Sequence, residues 1–393
     1  MSQAHRSVHV LFHVPEGLEF VAKEEISRRL QLPAEETRYV EEPGAGRVQV
    51  MMDHSDLADI ISILQDTPLS SVYDITLVAT KVNIPLHVFN NADQTNEFIS
   101  NITETTTWDP IVNGVRNAAT TNNTSSSSSS STDVPTFRAT FRKGQLKHAS
   151  KTQVLAGQVG FSFGKRYPDW KVNLEHYDHE VLATWTRQEK DGPITLLLGI
   201  SLPVPDTRYR HRIHFGRTSL NPAIAYCLVQ LADPQPGQVV FDMCCGTGTI
   251  PIEGAAAYPD AMWFGSEVKV KTLSEKAQGN VKHAGLTNVD LFLADGRQLC
   301  MRDSSVDIVI SDWPWGLREG SFSTIQKLYP KFMRQIGRVL RSHGKAYIVT
   351  QGHKLFNRVL AYPWCKETWS VDKVISIGIG GYPVSLYMLS KKN

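Results

Sequence analysis

Apolar residues recur along this chain in short runs of two different periods, and their alternation predicts a mixed α/β architecture. Val8-His9-Val10-Leu11-Phe12 reads as a strand; residues 16–30, with Val21, Ile26 and Leu30 on one face, read as an amphipathic helix. Arg47-Val48-Gln49-Val50-Met51 is a second strand, and a helix over 56–64 and a strand over 71–81 complete a β-α-β-α-β run of ferredoxin-like type. The pattern stops at 117–133, where an unbroken serine run over 125–131 cannot bury a core; this segment is expected to be disordered. It resumes with a strand over 136–142, a helix over 151–166, a strand over 171–175, a helix over 179–184 and a strand over 193–201. Asn221 is then the expected N-cap, and Pro222 the first position, of a helix over 223–232.

From Gln238 onward strands and helices alternate as in a doubly wound domain. The strands fall at 238–243, 262–267, 289–295, 306–313, 345–351, 370–377 and 384–390, the last two as a terminal hairpin. The expected organisation is a ferredoxin-like domain over 1–95, a second α+β unit over 96–205, a linker over 206–221 and a Rossmann-like α/β domain over 222–393.

Composition adds limits rather than identity. With 393 residues, 41% hydrophobic and 20% charged, the chain has the make-up of a soluble protein of two or three domains. The apolar run at 8–14 is interrupted by His9 and His13 and is too short for a leader or a membrane span, so a cytoplasmic or nuclear location is expected. Cys227, Cys244, Cys245, Cys300 and Cys365 form no C-x-x-C pair and no metal-ligand spacing with histidine; free thiols and no metal are expected.

Charge is distributed unevenly. Arg138, Arg142, Lys143, Lys147, Lys151, Lys165, Arg166 and Lys171 stand against Asp169 alone, a local excess of +7. Arg208, Arg210, Arg212 and Arg217 follow, interleaved with Tyr209, His211 and Phe215. Clustered cations with aromatics point to a polyanion partner, nucleic acid first.

Two motifs carry chemistry. Val239-Val240-Phe241-Asp242-Met243-Cys244-Cys245-Gly246-Thr247-Gly248-Thr249 is a strand running through a glycine loop into a helix, a ligand cradle that by itself fits dinucleotides, nucleotides or a plain tight turn. Asp242, Glu267, Asp295 and Asp312 fall at the ends of four successive predicted strands. Such an edge repels a pyrophosphate and attracts S-adenosylmethionine, whose sulfonium and ammonium are cationic. The second motif is Ser311-Asp312-Trp313-Pro314-Trp315-Gly316. A carboxylate, a proline carbonyl and an indole at one strand end suit an exocyclic amine on a planar base: two acceptors for its N–H groups and a ring to stack on it. The lone pair of such an amine is delocalised into its ring, so holding both protons helps to localise it for alkylation.

These residues resemble the THUMP domain-containing RNA guanine-N2 methyltransferases. Pro15-Glu16-Gly17-Leu18-Glu19 resembles the opening of their ferredoxin-like domain; Phe137-Arg138-Ala139-Thr140 through Lys147-His148, the start of the THUMP core; His214-Phe215-Gly216, the connector. The loop from Cys245 to Ala255 resembles their cofactor loop, and Asp312-x-Pro314-Trp315-Gly316 their catalytic tetrad. The resemblance implies a THUMP RNA-binding domain over 96–205 and a methyltransferase domain over 222–393. It implies Asp242, Cys245, Gly246, Gly248 and Thr249 around the methionine moiety of S-adenosylmethionine, Glu267 on the ribose, and Asp295 with Gly296 at the adenine. Asp312 and Pro314 would engage the target amine and Trp315 would stack. RNA would be gripped by Arg138, Arg142, Lys143, Lys147, Lys165, Arg166 and Arg212. The chain departs from the family at Met243, where relatives often carry proline, and at Trp313 and Trp315, which replace smaller or phenylalanine side chains.

The expected product is N2-methylguanosine in the tRNA acceptor stem, at position 6 or 7. The alternatives are a small nuclear RNA, a DNA adenine or protein amide as acceptor, and a non-catalytic RNA-binding adaptor. Relatives also imply a small zinc-binding activator subunit. The strand over 289–294 is expected at the sheet edge, where a partner strand would cover it.

Overall fold

In the computed structural model, residues 7–53, 56–122, 134–187, 192–203, 205–316 and 322–392 are described. They form two compact units, one of residues 1–14 and 23–204, the other of 15–22 and 205–393.

The first unit is built on one eight-stranded sheet. Its elements run β1 (Val8–His13), α1 (Glu19–Leu30), β2 (Thr37–Glu42), β3 (Arg47–Met52), α2 (Leu57–Asp66), β4 (Asp74–Ile84), α3 (Leu86–Phe89), α4 (Ala92–Thr105), α5 (Asp109–Asn122), β5 (Thr136–Arg142), α6 (Thr152–Arg166), β6 (Lys171–Val172), β7 (His179–Thr186) and β8 (Ile194–Leu202). The order β2-β3-β1-β4-β8-β7-β5-β6 joins the two expected α+β regions through the antiparallel β4–β8 ladder. Three local expectations change. Residues 179–184 are not helical: β7 is buried at all eight positions, so a strand covered on both faces shows no period of two, while Val181, Thr184, Trp185 and Thr186 favour extended backbone. The strand expected over 171–175 shrinks to the two-residue β6. Residues 117–122, expected to be disordered, complete α5, and the rest of the serine-rich segment, 123–133, lies outside the described residues.

The second unit carries α7 (Pro222–Ala232), β9 (Val239–Asp242), α8 (Thr249–Ala257), β10 (Met262–Glu267), α9 (Val270–Thr272), α10 (Gln278–Ala284), β11 (Val289–Leu293), β12 (Val306–Asp312), α11 (Phe322–Val339), β13 (Leu340–Thr350), α12 (His353–Leu360), α13 (Pro363–Thr368), β14 (Trp369–Ile379) and β15 (Tyr382–Lys391). Asn221 caps α7 as expected, accepting from the Ala223 N–H at 2.9 Å. The sheet order is β11-β10-β9-β12-β13-β15-β14. β9 to β13 are parallel, and the β14–β15 hairpin adds antiparallel to β13. Chain order reverses between β9 and β12, which makes the carboxyl ends of these two strands the natural ligand crevice. Beneath it, α11 packs on the sheet through Ile325, Tyr329, Phe332, Met333 and Ile336, all buried with Phe241, Val309 and Ile348.

Candidate active site

The glycine loop is shaped by its backbone. Gly246 and Gly248 lie at φ +55° and +85°, where a side chain is strained. A Cβ on Gly246 would meet nothing within 4 Å, so the chain turns there beside open space, whereas one on Gly248 would press on Ile252 and Leu291 at 3.1 Å. Buried Asn280 of α10 ties the loop down. Its Nδ2 donates to the carbonyls of Thr247 (3.0 Å) and His214 (2.9 Å), and its Oδ1 accepts from the N–H groups of Ile213 and His214. A lone asparagine between charged helix residues carries no sequence signal of this role.

The predicted carboxylates gather at the carboxyl ends of β9 to β12. Asp242 is buried and its Oδ1 accepts from Ser311 Oγ (2.7 Å) and the Cys244 N–H (3.0 Å). Desolvation pushes its carboxyl up to about 7 against those bonds, with the charge of Glu267 adding to the rise. Glu267, also buried, accepts from the Lys269 N–H at 2.8 Å. Asp295 is engaged differently: Arg297 Nε contacts both its oxygens, at 2.9 and 2.8 Å, and holds its pKa below the usual carboxylate value. Gly296 has no room for a side chain, since a Cβ would approach Met243 and Phe332 to 2.9 Å. Cys244 and Cys245 are no nucleophiles: burial first, then the charges of Asp242 and Glu267, push both thiols well above their ordinary range.

At the end of β12, one acceptor on each of two groups is already committed. The Trp315 indole N–H donates to Asp312 Oδ1 at 2.9 Å. The Pro314 carbonyl takes a hydrogen bond from the Tyr329 hydroxyl, also 2.9 Å long. Its direction follows from the donors available. A carbonyl only accepts, so Tyr329 donates its one proton to Pro314 and accepts from Thr350 Oγ1 at 2.7 Å; Thr350 in turn accepts from the Gly352 N–H at 2.9 Å. Burial raises the Tyr329 phenol to about 12, so it keeps that proton at neutral pH. Among the described residues, Asp312 Oδ2 and one lone pair of Pro314 take no hydrogen bond, two acceptors that match the two N–H groups of an aromatic amine. Desolvation pushes the Asp312 carboxyl to about 7; the Trp315 bond opposes the rise and Asp242 reinforces it.

The two tryptophans separate in role. Trp313 is buried among Tyr329, Phe332 and Phe356, at centroid distances of 5.1 to 5.4 Å, and belongs to the core. Trp315 is half-buried, with Tyr382 of the terminal hairpin edge-on to it at 6.4 Å and 70°.

The expected RNA-gripping cations are less free than their sequence count implies. Arg138 pairs with Glu180 (2.9 Å), Arg142 with Asp74 (2.7 Å), Lys165 with Glu104 (2.7 Å) and Arg166 with Asp109 (3.0 Å). Lys143 bonds the carbonyls of His148 and Ser150, and Lys147 is exposed. Arg212 is corrected outright: it is 2% exposed, bonds Thr249 Oγ1 at 2.6 Å and has its pKa lowered to about 10 by burial. It packs the connector on α8 and presents no charge to an outside polyanion.

A doubly wound unit with a glycine loop, carboxylates at the strand ends and an acid-Trp-Pro-Trp corner defines the Rossmann-like methyltransferase class. Residues 208–376 match the family model for the RMKL-like methyltransferase domain, UPF0020. The chain is 30% identical over 271 residues to the Bos taurus "tRNA (guanine(6)-N(2))-methyltransferase THUMP3", covering 66% of this chain and 52% of the relative. It is 31% identical over 183 residues to the Homo sapiens "U6 snRNA (guanine-N(2))-methyltransferase THUMPD2", covering 46% of this chain and 34% of that protein. The crystal structure of TrmN from Thermus thermophilus superposes with a TM-score of 0.71 at 20% identity, over 98% of this chain and 99% of that one, which shows a shared fold. The chain is thus similar to THUMP-named guanine-N2 methyltransferases, and it spans about half the length of the curated relatives it matches. Among the described residues, no group of side chains could hold a metal ion and no helix is long and apolar enough to cross a membrane.

Proposed function

We propose that this protein is an S-adenosylmethionine-dependent RNA methyltransferase that methylates N2 of guanine. The observation that carries the reading is the corner at Asp312, where one free acceptor on the carboxylate and one on the Pro314 carbonyl lie beside the Trp315 ring. The open space at Gly246 and the ring of strand-end carboxylates fit a cationic cofactor with no phosphate. When bound, S-adenosylmethionine supplies an electrophilic methyl group. Glu267 would hold the ribose and Asp242 the methionine end, with Cys245, Gly246, Gly248 and Thr249 forming the loop around it. Asp295 and Gly296 would border the adenine. Asp312 and Pro314 would hold the two amine protons and so localise the nitrogen lone pair, Trp315 would stack on the base, and Asp312 would take the proton that the nitrogen gives up in exchange for the donor's methyl group.

The relatives' names favour tRNA as substrate, with U6 small nuclear RNA as the second choice, and the acceptor stem is the site we propose within tRNA. Incubating the full chain with labelled S-adenosylmethionine and either tRNA, U6 transcript or duplex DNA separates these, and N2-methylguanosine in tRNA is the expected product. Methyladenine in DNA, or cofactor binding with no transfer to any RNA, would replace the reading.

Two further expectations follow from the same site. Glu267→Ala should weaken S-adenosylmethionine binding about tenfold or more, since ribose hydroxyls lose a buried charged acceptor. Calorimetry that finds an unchanged affinity would put the ribose elsewhere. For a partner, β11 is the edge strand, and Leu293, Val268 and Val270 are 50%, 59% and 61% exposed. A small zinc-binding activator subunit that pairs with this edge fits such a surface. Co-expression with it should raise soluble yield and activity; full activity of the purified chain alone would remove the requirement.

A further inference from the structure

A second group of cations, outside the segment that the sequence count singles out, lies on α11 of the methyltransferase unit. Lys327, Lys331, Arg334 and Arg338 are spaced by four, three and four residues, which puts them on one face of the helix. α11 contains no acidic residue in its 18 positions. Lys327, Lys331 and Arg334 are exposed, and among the described residues no carboxylate lies within ion-pair distance of them. Only Arg338 has an acid, Asp303, at 2.6 Å. Like charges at these spacings repel one another by a few tenths of a kcal/mol per pair, so the stripe does not serve the stability of the helix.

The same face opens into a cavity of about 500 Å³ lined by Arg334, Arg338, Trp364, Glu367, Lys391 and Lys392. Lys391 and Lys392 each bond one backbone carbonyl, of Leu340 and Lys366, both at 2.7 Å, and these neutral partners leave their charges standing. The Arg334 guanidinium lies over the half-buried Trp364 ring at 5.0 Å, an arrangement that holds the cation in place while it faces solvent. Four cations thus face one carboxylate around a hollow that offers an aromatic wall. The stripe also starts near the reactive edge: α11 is the helix that follows the Asp312–Gly316 corner, and the charge of Lys331 reaches Asp295. From Lys327 to Arg338 it extends roughly 16 Å along the helix axis at 1.5 Å per residue.

We propose that the basic face of α11 and the adjoining Trp364 cavity bind the phosphodiester backbone of the RNA substrate, flanking the nucleotide that is methylated. RNA is favoured over other polyanions by the combination of a linear row of cations, a pocket with an aromatic wall and continuity with the helix that supports the amine-binding corner. The proposal rests on the RNA reading above and adds where, on the catalytic unit itself, the strand is held.

The test is RNA binding by the full chain at several salt concentrations, with tRNA as the probe. Lys327→Glu, Lys331→Glu and Arg334→Glu together should lower tRNA affinity at least tenfold and make the slope of log affinity against log salt shallower by about two to three. S-adenosylmethionine affinity and melting temperature should stay unchanged, and the milder pair Lys327→Gln and Lys331→Gln should show a smaller loss of the same kind. Variants with parental affinity and slope, in a protein that does bind tRNA, would overturn the proposal and leave the functional reading intact. A parent with no measurable affinity for tRNA or U6 transcript would remove both. Loss of poly-glutamate binding with RNA affinity retained would reassign the surface to an acidic protein and overturn the proposal as well.

Discussion

Asp312→Ala is expected to lower turnover by at least a hundredfold, about 2.7 kcal/mol of barrier, while S-adenosylmethionine affinity stays within about twofold. The separation follows from the geometry. Asp312 Oδ1 is bound to the Trp315 indole and Oδ2 is open, so the substitution removes an acceptor for the target amine and frees the ring meant to stack on the base. The cofactor side of the crevice, at Gly246, Glu267 and Asp242, is untouched. Asp312→Asn is the sharper probe. Its carbamoyl oxygen can still take the indole N–H, but no carboxylate remains to favour the developing positive charge on the amine nitrogen or to accept its proton. A purely structural role would let Asn restore turnover. Alanine and asparagine variants that both bind the cofactor and both fail to transfer methyl would instead assign Asp312 to the chemistry. Turnover of Asp312→Ala within tenfold of the parent would end that assignment.

What the sequence made legible, and what it hid, divides along the range of the interactions involved. The glycine loop, the strand-end carboxylates and the Asp312–Trp315 corner are local: each is a strand followed at once by its functional residues, and the parallel sheet then brings the strand ends together. The edge position of β11 followed from the usual strand order. Non-local features gave no such signal. Tyr329 reaches Pro314 from 15 residues downstream, and Thr350 from the next strand completes that relay. Asn280 fastens the glycine loop from a separate helix. The charge count over 134–171 overstates the free charge for the same reason, because Asp74, Glu104, Asp109 and Glu180 come from other elements to pair with four of its eight cations. Along α11, by contrast, the stripe of cations meets almost no acid from elsewhere. In the sequence the stripe is inconspicuous because its four residues are spread over 12 positions of an amphipathic helix. β7 reads as a helix in the sequence because burial on both faces erases the alternation that marks a strand.

Turnover should fall steeply as pH drops through about 7, and cofactor binding should weaken with it. Desolvation raises the carboxyls of Asp242 and Asp312 to about 7, and the charge of Glu267 adds to the rise of the first and that of Asp242 to the rise of the second. The proposed chemistry needs them ionised: Asp312 to accept an amine proton, Asp242 to face a cationic cofactor. Below pH 7, kcat/KM is then expected to lose about tenfold per pH unit where one proton is taken up, and up to a hundredfold per unit where both are. The stability of the cofactor-free protein should move in the opposite sense. A carboxyl whose folded pKa lies above its unfolded value near 3.8 favours folding fully below 3.8 and loses that contribution as pH rises to about 7. At pH 8 the free protein therefore carries two costly buried anions, and a bound sulfonium and ammonium offset them. The thermal shift produced by S-adenosylmethionine should accordingly grow between pH 5.5 and pH 8, and binding near pH 7 should release protons, visible as a dependence of the calorimetric heat on the ionisation enthalpy of the buffer. A cofactor-induced shift and a kcat/KM that are both flat from pH 5.5 to 8 would mean that neither carboxylate titrates in the functional cycle.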